Sequence, residues 1–301
     1  MIEQPLPDLD AWVQFYTEAE LPVLRHTQNA LEELRADAET VNGRVLSSVI
    51  LQDPLMTLRM LAYLEKHRPK QQRTDITTVG RALMMIGINP FFRNFENLPL
   101  IEDQLQAHTK ARLGLLKAVN RSRRAAHWAH EWAMLRHDLD VDEITIATLL
   151  HDIAEILMWC FAPSLPLRVN ELQAQDRSLR SVTAQQEVYG IRLHDLQLRL
   201  VHAWGLPKLL TMLMDDTVPS QENEAPAQES PVEKYSPRVK NVSLAVDLAR
   251  HSAHGWDDPA LPDDFKAIEE LLHISHLSLM NKLGLTLDGK LPSTAPANQA
   301  Q

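Results

Sequence analysis

The segment IATLLHDIAEILMW, residues 146–159, sets a His-Asp dipeptide, His151-Asp152, inside an otherwise apolar run. Wound as a continuous helix at about 100° per residue, Thr145, Thr148, His151, Asp152 and Glu155 share an arc about 120° wide. Leu149, Leu150, Ile153, Ile156 and Leu157 cover most of the remaining circumference. A helix apolar over so much of its surface belongs at the centre of a helical core. Its polar stripe must then meet a partner, a cleft or water, because buried polar groups need hydrogen bonds.

The flanking sequence repeats the helical period. Segments 104–119, 121–137, 142–161, 168–189 and 193–203 read as helices, and a new one starts after Gly205 at Pro207. Upstream, Asp53 suits an N-cap and Pro54 a first helical position. Ile76, Val79, Leu83 and Ile86 line one face of a helix that stops at Gly87. Residues 217–237, rich in proline and acids, read as a flexible linker. Two further helices over 238–285 complete the bundle, 286–301 read as a disordered tail, and 1–16 as an N-terminal extension. Strand-like alternation is absent and glycine is scarce, at 9 of 301 residues. The expected fold is all-α.

Composition narrows the function classes. Hydrophobic residues make up 45% and charged ones 23%, as in an ordinary globular protein. A formal net charge of -10 argues against DNA, RNA or an anionic membrane as a partner. The lone Cys160 excludes an internal disulfide and a Cys-based zinc site, and reads as buried filler. The start, MIEQPLPDLDAWVQ, lacks a signal peptide's pattern, and no apolar run is read as long enough to span a bilayer. A cytoplasmic location is expected.

Five stretches in order resemble the HDOD (HD-related output domain) family of bacterial signalling proteins over residues 17–216. They are LPVL at 21–24, the helix start at Asp53, Pro54, Leu55 and Thr57, and Ile76, Val79, Ala82, Leu83 and Gly87. IATLLHDIAEIL follows, and then Glu187, Gly190, His194, Trp204, Gly205, Leu206 and Pro207. The resemblance implies an N-terminal helical subdomain (17–100) packed on a degenerate HD-like helical bundle (101–216).

In catalytic relatives of this fold a metal is held by an early His, by the HD pair and by a later Asp. Here the early position is Arg121, whose guanidinium has no lone pair to give a cation. The small residue after the pair, usually Gly, is Ala154; a later His-His reads Asp215-Asp216; the last position falls on Val246 or Asp247. In a shifted register His127 or His130, with Asp247, would complete a set. His151 and Asp152 are thus read as vestigial metal positions, with no catalytic residue, metal or cofactor expected. Arg121 is instead expected to reach Asp152 as a metal-replacing pair. Arg121, Arg123 and Arg124 belong to a run, 110–124, with six basic residues and no acid. They form a candidate patch for an anion or a partner.

Two further pairs carry weaker signals. Glu187 and His194 are separated by Gly190, and His273 and His276 have an i, i+3 spacing; packing and ordinary surface are the readings preferred for them. The function expected from the resemblance is non-catalytic signal transduction through contacts with another signalling protein, with a homodimer as a further option. Two alternatives stay open at this point: a metal-dependent phosphohydrolase acting on a nucleotide or cyclic dinucleotide, and a sensor that binds an anionic nucleotide without chemistry.

Overall fold

A computed structural model describes residues 1–36, 41–68, 75–176, 179–215 and 231–291, the side chains of 231–236 excepted. Its N-terminal part holds α1 (Leu9–Glu18), α2 (Arg25–Ala36), α3 (Gly43–Ile50), α4 (Pro54–Lys66), α5 (Val79–Ile86), α6 (Ile88–Asn94) and the single turn α7 (Ile101–Gln104). The HD-like part holds α8 (Thr109–Leu135), α9 (Val141–Leu150), α10 (Ile153–Phe161), α11 (Ser164–Gln175), α12 (Ser181–Tyr189), α13 (Leu193–Ala203) and α14 (Lys208–Met214). Then come α15 (Pro231–His251), a short 3₁₀ turn, α16 (Leu261–Leu272) and α17 (His276–Leu283). The fold is all-α; among the described residues the extended pairing is one isolated bridge, Val23 to Leu100.

Asp53 shows how sequence becomes architecture. Its carboxylate accepts the N–H groups of Leu55 (2.9 Å) and Met56 (3.2 Å), capping α4 behind Pro54. It also accepts the Leu24 N–H at 2.9 Å, so the LPVL segment is tied to the same helix start. Full burial pushes the Asp53 carboxyl up, against hydrogen bonds that pull it down.

The main core is an apolar cluster that runs through both parts of the chain, with α8 packed on α9 and α15 and a small second cluster of Ala125, Val246 and Ala249 between α8 and α15. The residues set apart as an extension join it. Trp12 and Tyr16 of α1 are fully buried and stacked, with ring centroids 5.7 Å apart. Tyr16 Oη reaches Met158 Sδ at 3.3 Å, and α1 packs on α13.

Several helix boundaries depart from the periodicity reading. Residues 109–135 form one helix of 27 residues rather than two, because nothing around Asn120 breaks the winding. Gly114 within it lies so close to Trp159 that a Cβ would stand 2.5 Å from the indole. Conversely, 142–161 is two helices, and 168–189 is divided between α11 and α12. Helix α15 begins at Pro231, inside the stretch read as linker, with proline at a position where its missing N–H costs nothing. Residues 217–230 of that linker and 292–301 of the tail lie outside the described residues.

The expectation that no segment is long and apolar enough to span a membrane needs correction. Val141–Phe161 passes by length and composition, with mean hydropathy 1.5, yet 89% of its most apolar 18-residue window is buried in the fold. Its apolar surface faces protein. Cys160 is buried there too, and burial pushes its thiol up.

If α1 is part of the core, Trp12→Ala should destabilise the chain by about 3–5 kcal/mol. Urea unfolding measures this, and an unchanged midpoint would show that α1 is dispensable.

Candidate functional site

The His-Asp pair sits in a break, not on a continuous helix. Helix α9 ends at Leu150, His151 and Asp152 form a turn, and α10 starts at Ile153. Such a break leaves backbone groups unpaired inside the core. The buried Gln197 of α13 satisfies two of them: its Oε1 accepts the Ala154 N–H at 3.0 Å, and its Nε2 donates to the Leu150 carbonyl at 2.9 Å. One side-chain amide therefore holds the turn that presents the pair.

Asp152, 8% exposed, is surrounded by donors. Arg121 of α8 places Nη2 3.3 Å from Oδ2, and the same nitrogen lies 2.6 Å from Glu155 Oε2. Arg250 of α15 places Nη2 2.6 Å from Oδ1, and His151 Nδ1 is 3.2 Å from that oxygen. Arg250 also lies 3.7 Å from Asp247. Burial alone would push the Asp152 carboxyl up; Arg250, the His151 hydrogen bond and Arg121 hold it well below the usual carboxylate range. Burial disfavours the charged Arg121 as well, and Glu155 and Asp152 more than offset that, so its pKa is raised.

These residues do not fit a divalent cation. Both oxygens of the carboxylate that would bind it face guanidinium groups, and the early ligand position supplies a positive charge instead of a lone pair. The alternative ligands lie elsewhere. His127 is exposed, and His130 Nδ1 is engaged with Thr145 Oγ1 at 3.1 Å. Asp247 neighbours Arg250. No group of three or more metal-ligating side chains occurs among the described residues.

Sequence reasoning joined Arg121 to Asp152 and placed Glu155 on the same stripe. It missed Arg250, whose signal would have been a basic residue one helical turn after Asp247, on the face that offers the last ligand position.

The three arginines of the candidate patch, all on α8, point to different neighbours. Arg121 enters the HD turn. Arg123 donates to Gln52 Oε1 (Nη2, 2.6 Å) in the N-terminal part. Arg124 donates to the Ala249 carbonyl (2.8 Å) and Ser252 Oγ (3.1 Å), and lies over the Trp128 ring.

The weaker pairs are also placed. Gly190, left-handed at φ 72°, ends α12, so Glu187 and His194 sit on different helices. His194 Nε2 is 4.0 Å from Asp215, and Asp216 lies outside the described residues. His273 caps α16 in the left-handed region, whereas His276 Nδ1 meets Glu269 Oε1 at 2.7 Å.

The pH dependence follows from Asp152. A carboxylate with a depressed folded pKa contributes stability that is complete above its unfolded value, about 3.9, and is lost as pH falls toward the folded value. Arg250 is 43% exposed, so water screens part of its pairing. Arg250→Gln should therefore cost about 1–2 kcal/mol at pH 7, less than the break of a fully buried pair. The gap from the parent should close as pH drops below about 4. Urea unfolding from pH 3 to 7 checks this; a gap independent of pH would remove Asp152 as its source.

Comparison with known proteins places the fold. The fold matches the response regulator MmoQ of Methylococcus capsulatus str. Bath at 17% identity and TM-score 0.64, over 88% of this chain and 98% of that one. It also matches a virulence factor of Campylobacter jejuni subsp. jejuni at 17% identity and TM-score 0.65, over 96% and 98%. No curated protein matches by sequence. The model of the HDOD domain matches residues 21–217, which include α2 to α14 and the whole His-Asp turn. With that match spanning well over half of its length, the chain belongs to the HDOD family.

Proposed function

We propose that this chain is a non-catalytic regulatory protein that acts through contacts with another protein. The observation that carries the reading is the closure of the HD turn by Arg121 and Arg250. A phosphohydrolase of this class needs an open cation to generate hydroxide and polarise a phosphoryl oxygen. Here the Asp152 oxygens that would bind that cation are taken by the chain's own positive charges. The nucleotide-sensor alternative loses its support because Arg121, Arg123 and Arg124 are spent on three internal partners. A structural neighbour named as a response regulator is in keeping with a signalling role.

Two measurements test this. The purified chain, supplied with Mn²⁺ and bis(p-nitrophenyl) phosphate, should show neither turnover nor a cation-dependent rise in Tm. Cross-linking in cells that make the protein should give a defined protein adduct, heteromeric or a second copy of this chain. Turnover that disappears in Asp152→Asn would overturn the reading, as would the absence of any adduct.

A further inference from the structure

After α17 the chain folds back on itself. Gly284, left-handed at φ 69°, ends the helix. Residues 286–290 then close a turn, in which the Thr286 N–H donates to the Lys290 carbonyl at 2.7 Å and the Gly289 N–H to the Thr286 carbonyl at 2.9 Å. The turn rests on the ring of Phe265 in α16, so closely that a Cβ at Gly289 would stand 3.3 Å from it. Phe265 is itself a buried member of the main core, stacked on Trp256 with ring centroids 6.3 Å apart.

One side chain closes the turn onto that seat. His276, the first residue of α17, puts Nδ1 2.7 Å from Glu269 Oε1 of α16 and Nε2 3.1 Å from the Leu287 carbonyl. Both ring nitrogens therefore face acceptors. A neutral imidazole has one N–H and one lone pair, so it serves one acceptor and turns its lone pair on the other. The imidazolium has two N–H groups and serves both. The arrangement is complete in one protonation state only.

The surroundings act in the same sense. The Glu269 hydrogen bond, followed by that to Leu287, raises the His276 pKa above its ordinary value against desolvation. The positive end of α17 opposes the charge. Glu270 and His273 on α16, Lys282 on α17, and Asp288 and Lys290 in the turn are exposed, where water screens them. A second pair, His251 with Asp264 at 2.6 Å, joins α15 to the first turn of α16.

We propose that His276 is a proton-operated clasp: as the imidazolium it holds the 286–290 turn on α16, and as the neutral ring it releases that turn. Stability held by a histidine with a raised folded pKa is complete below the unfolded value, about 6.5, and is lost as pH rises through the folded one. The clasp is thus closed in acid and opens as the pH rises, uncovering Phe265. It stands apart from the HD turn and does not depend on the protein-contact reading.

The test is amide hydrogen exchange of the full chain from pH 6 to 8.5, corrected for the intrinsic rate at each pH. It is read at Thr286, Gly289 and Lys290, whose N–H groups close the turn. The His276 side chain is 47% exposed, so water limits the effect. Protection should fall about fivefold as pH rises, the scale of an exposed charged pair. His276→Gln, neutral throughout, should show the low protection at every pH, and Glu269→Gln should move the fall to lower pH. His251→Gln should leave the parent profile as it is. A flat profile in the parent, a fall that persists in His276→Gln, or one unmoved in Glu269→Gln would overturn the proposal. So would a profile flattened by His251→Gln, which would assign the titration to the contact of α15 with α16.

Discussion

One buried charge organises the centre of this molecule. A carboxylate taken out of water needs compensation worth several kcal/mol, and without it the group protonates. Asp152 receives it from two directions, Arg121 on α8 and Arg250 on α15. Because the two cations stand on different helices, neutralising one carboxylate also fixes the placement of three elements. Helix α15 lies beyond the matched residues 21–217 and is nonetheless part of this centre. The family domain borrows its last charge from outside its own boundary.

The turn that holds Asp152 depends on a neutral group. Without Gln197 the Ala154 N–H and the Leu150 carbonyl would be buried and unpaired, at about 1–3 kcal/mol each. The amide suits this role because it donates and accepts at once. The polar interior is therefore layered: Gln197 shapes the turn, the turn presents the carboxylate, and the carboxylate collects the arginines. Each layer is needed before the next has a geometry to act on.

Much of this was legible in the sequence, and the parts that were not share a cause. Periodicity located most helices, and Asp53-Pro54 gave a start that the hydrogen bonds reproduce, because capping is decided within four residues. Arg121 and Asp152 were brought together only because the family resemblance supplied a register across 31 residues. Arg250 lies 98 residues from Asp152, a separation over which no local pattern speaks. The break after Leu150 is hidden in the same way, since every residue around it tolerates a helix and its support, Gln197, comes from α13. Trp12 and Tyr16 look like an apolar extension until Phe161 and Met158 are placed beside them.

The basic face of α8 then takes on a meaning that its composition does not carry. A run of lysines and arginines without acids reads as a solvated or anion-binding surface, yet three of its members leave the helix in three directions. Arg123 anchors the N-terminal part at Gln52, Arg121 anchors the HD turn, and Arg124 anchors the end of α15 at Ala249 and Ser252. Within four residues α8 is joined to every major part of the fold, and each joint is a directional, charge-assisted hydrogen bond. A load on the N-terminal helices is therefore carried by the same helix that locks the His-Asp turn. Two arginines thus stand where the helices meet, and the hydrogen bonds they make to Asp152 fix the geometry of that meeting point.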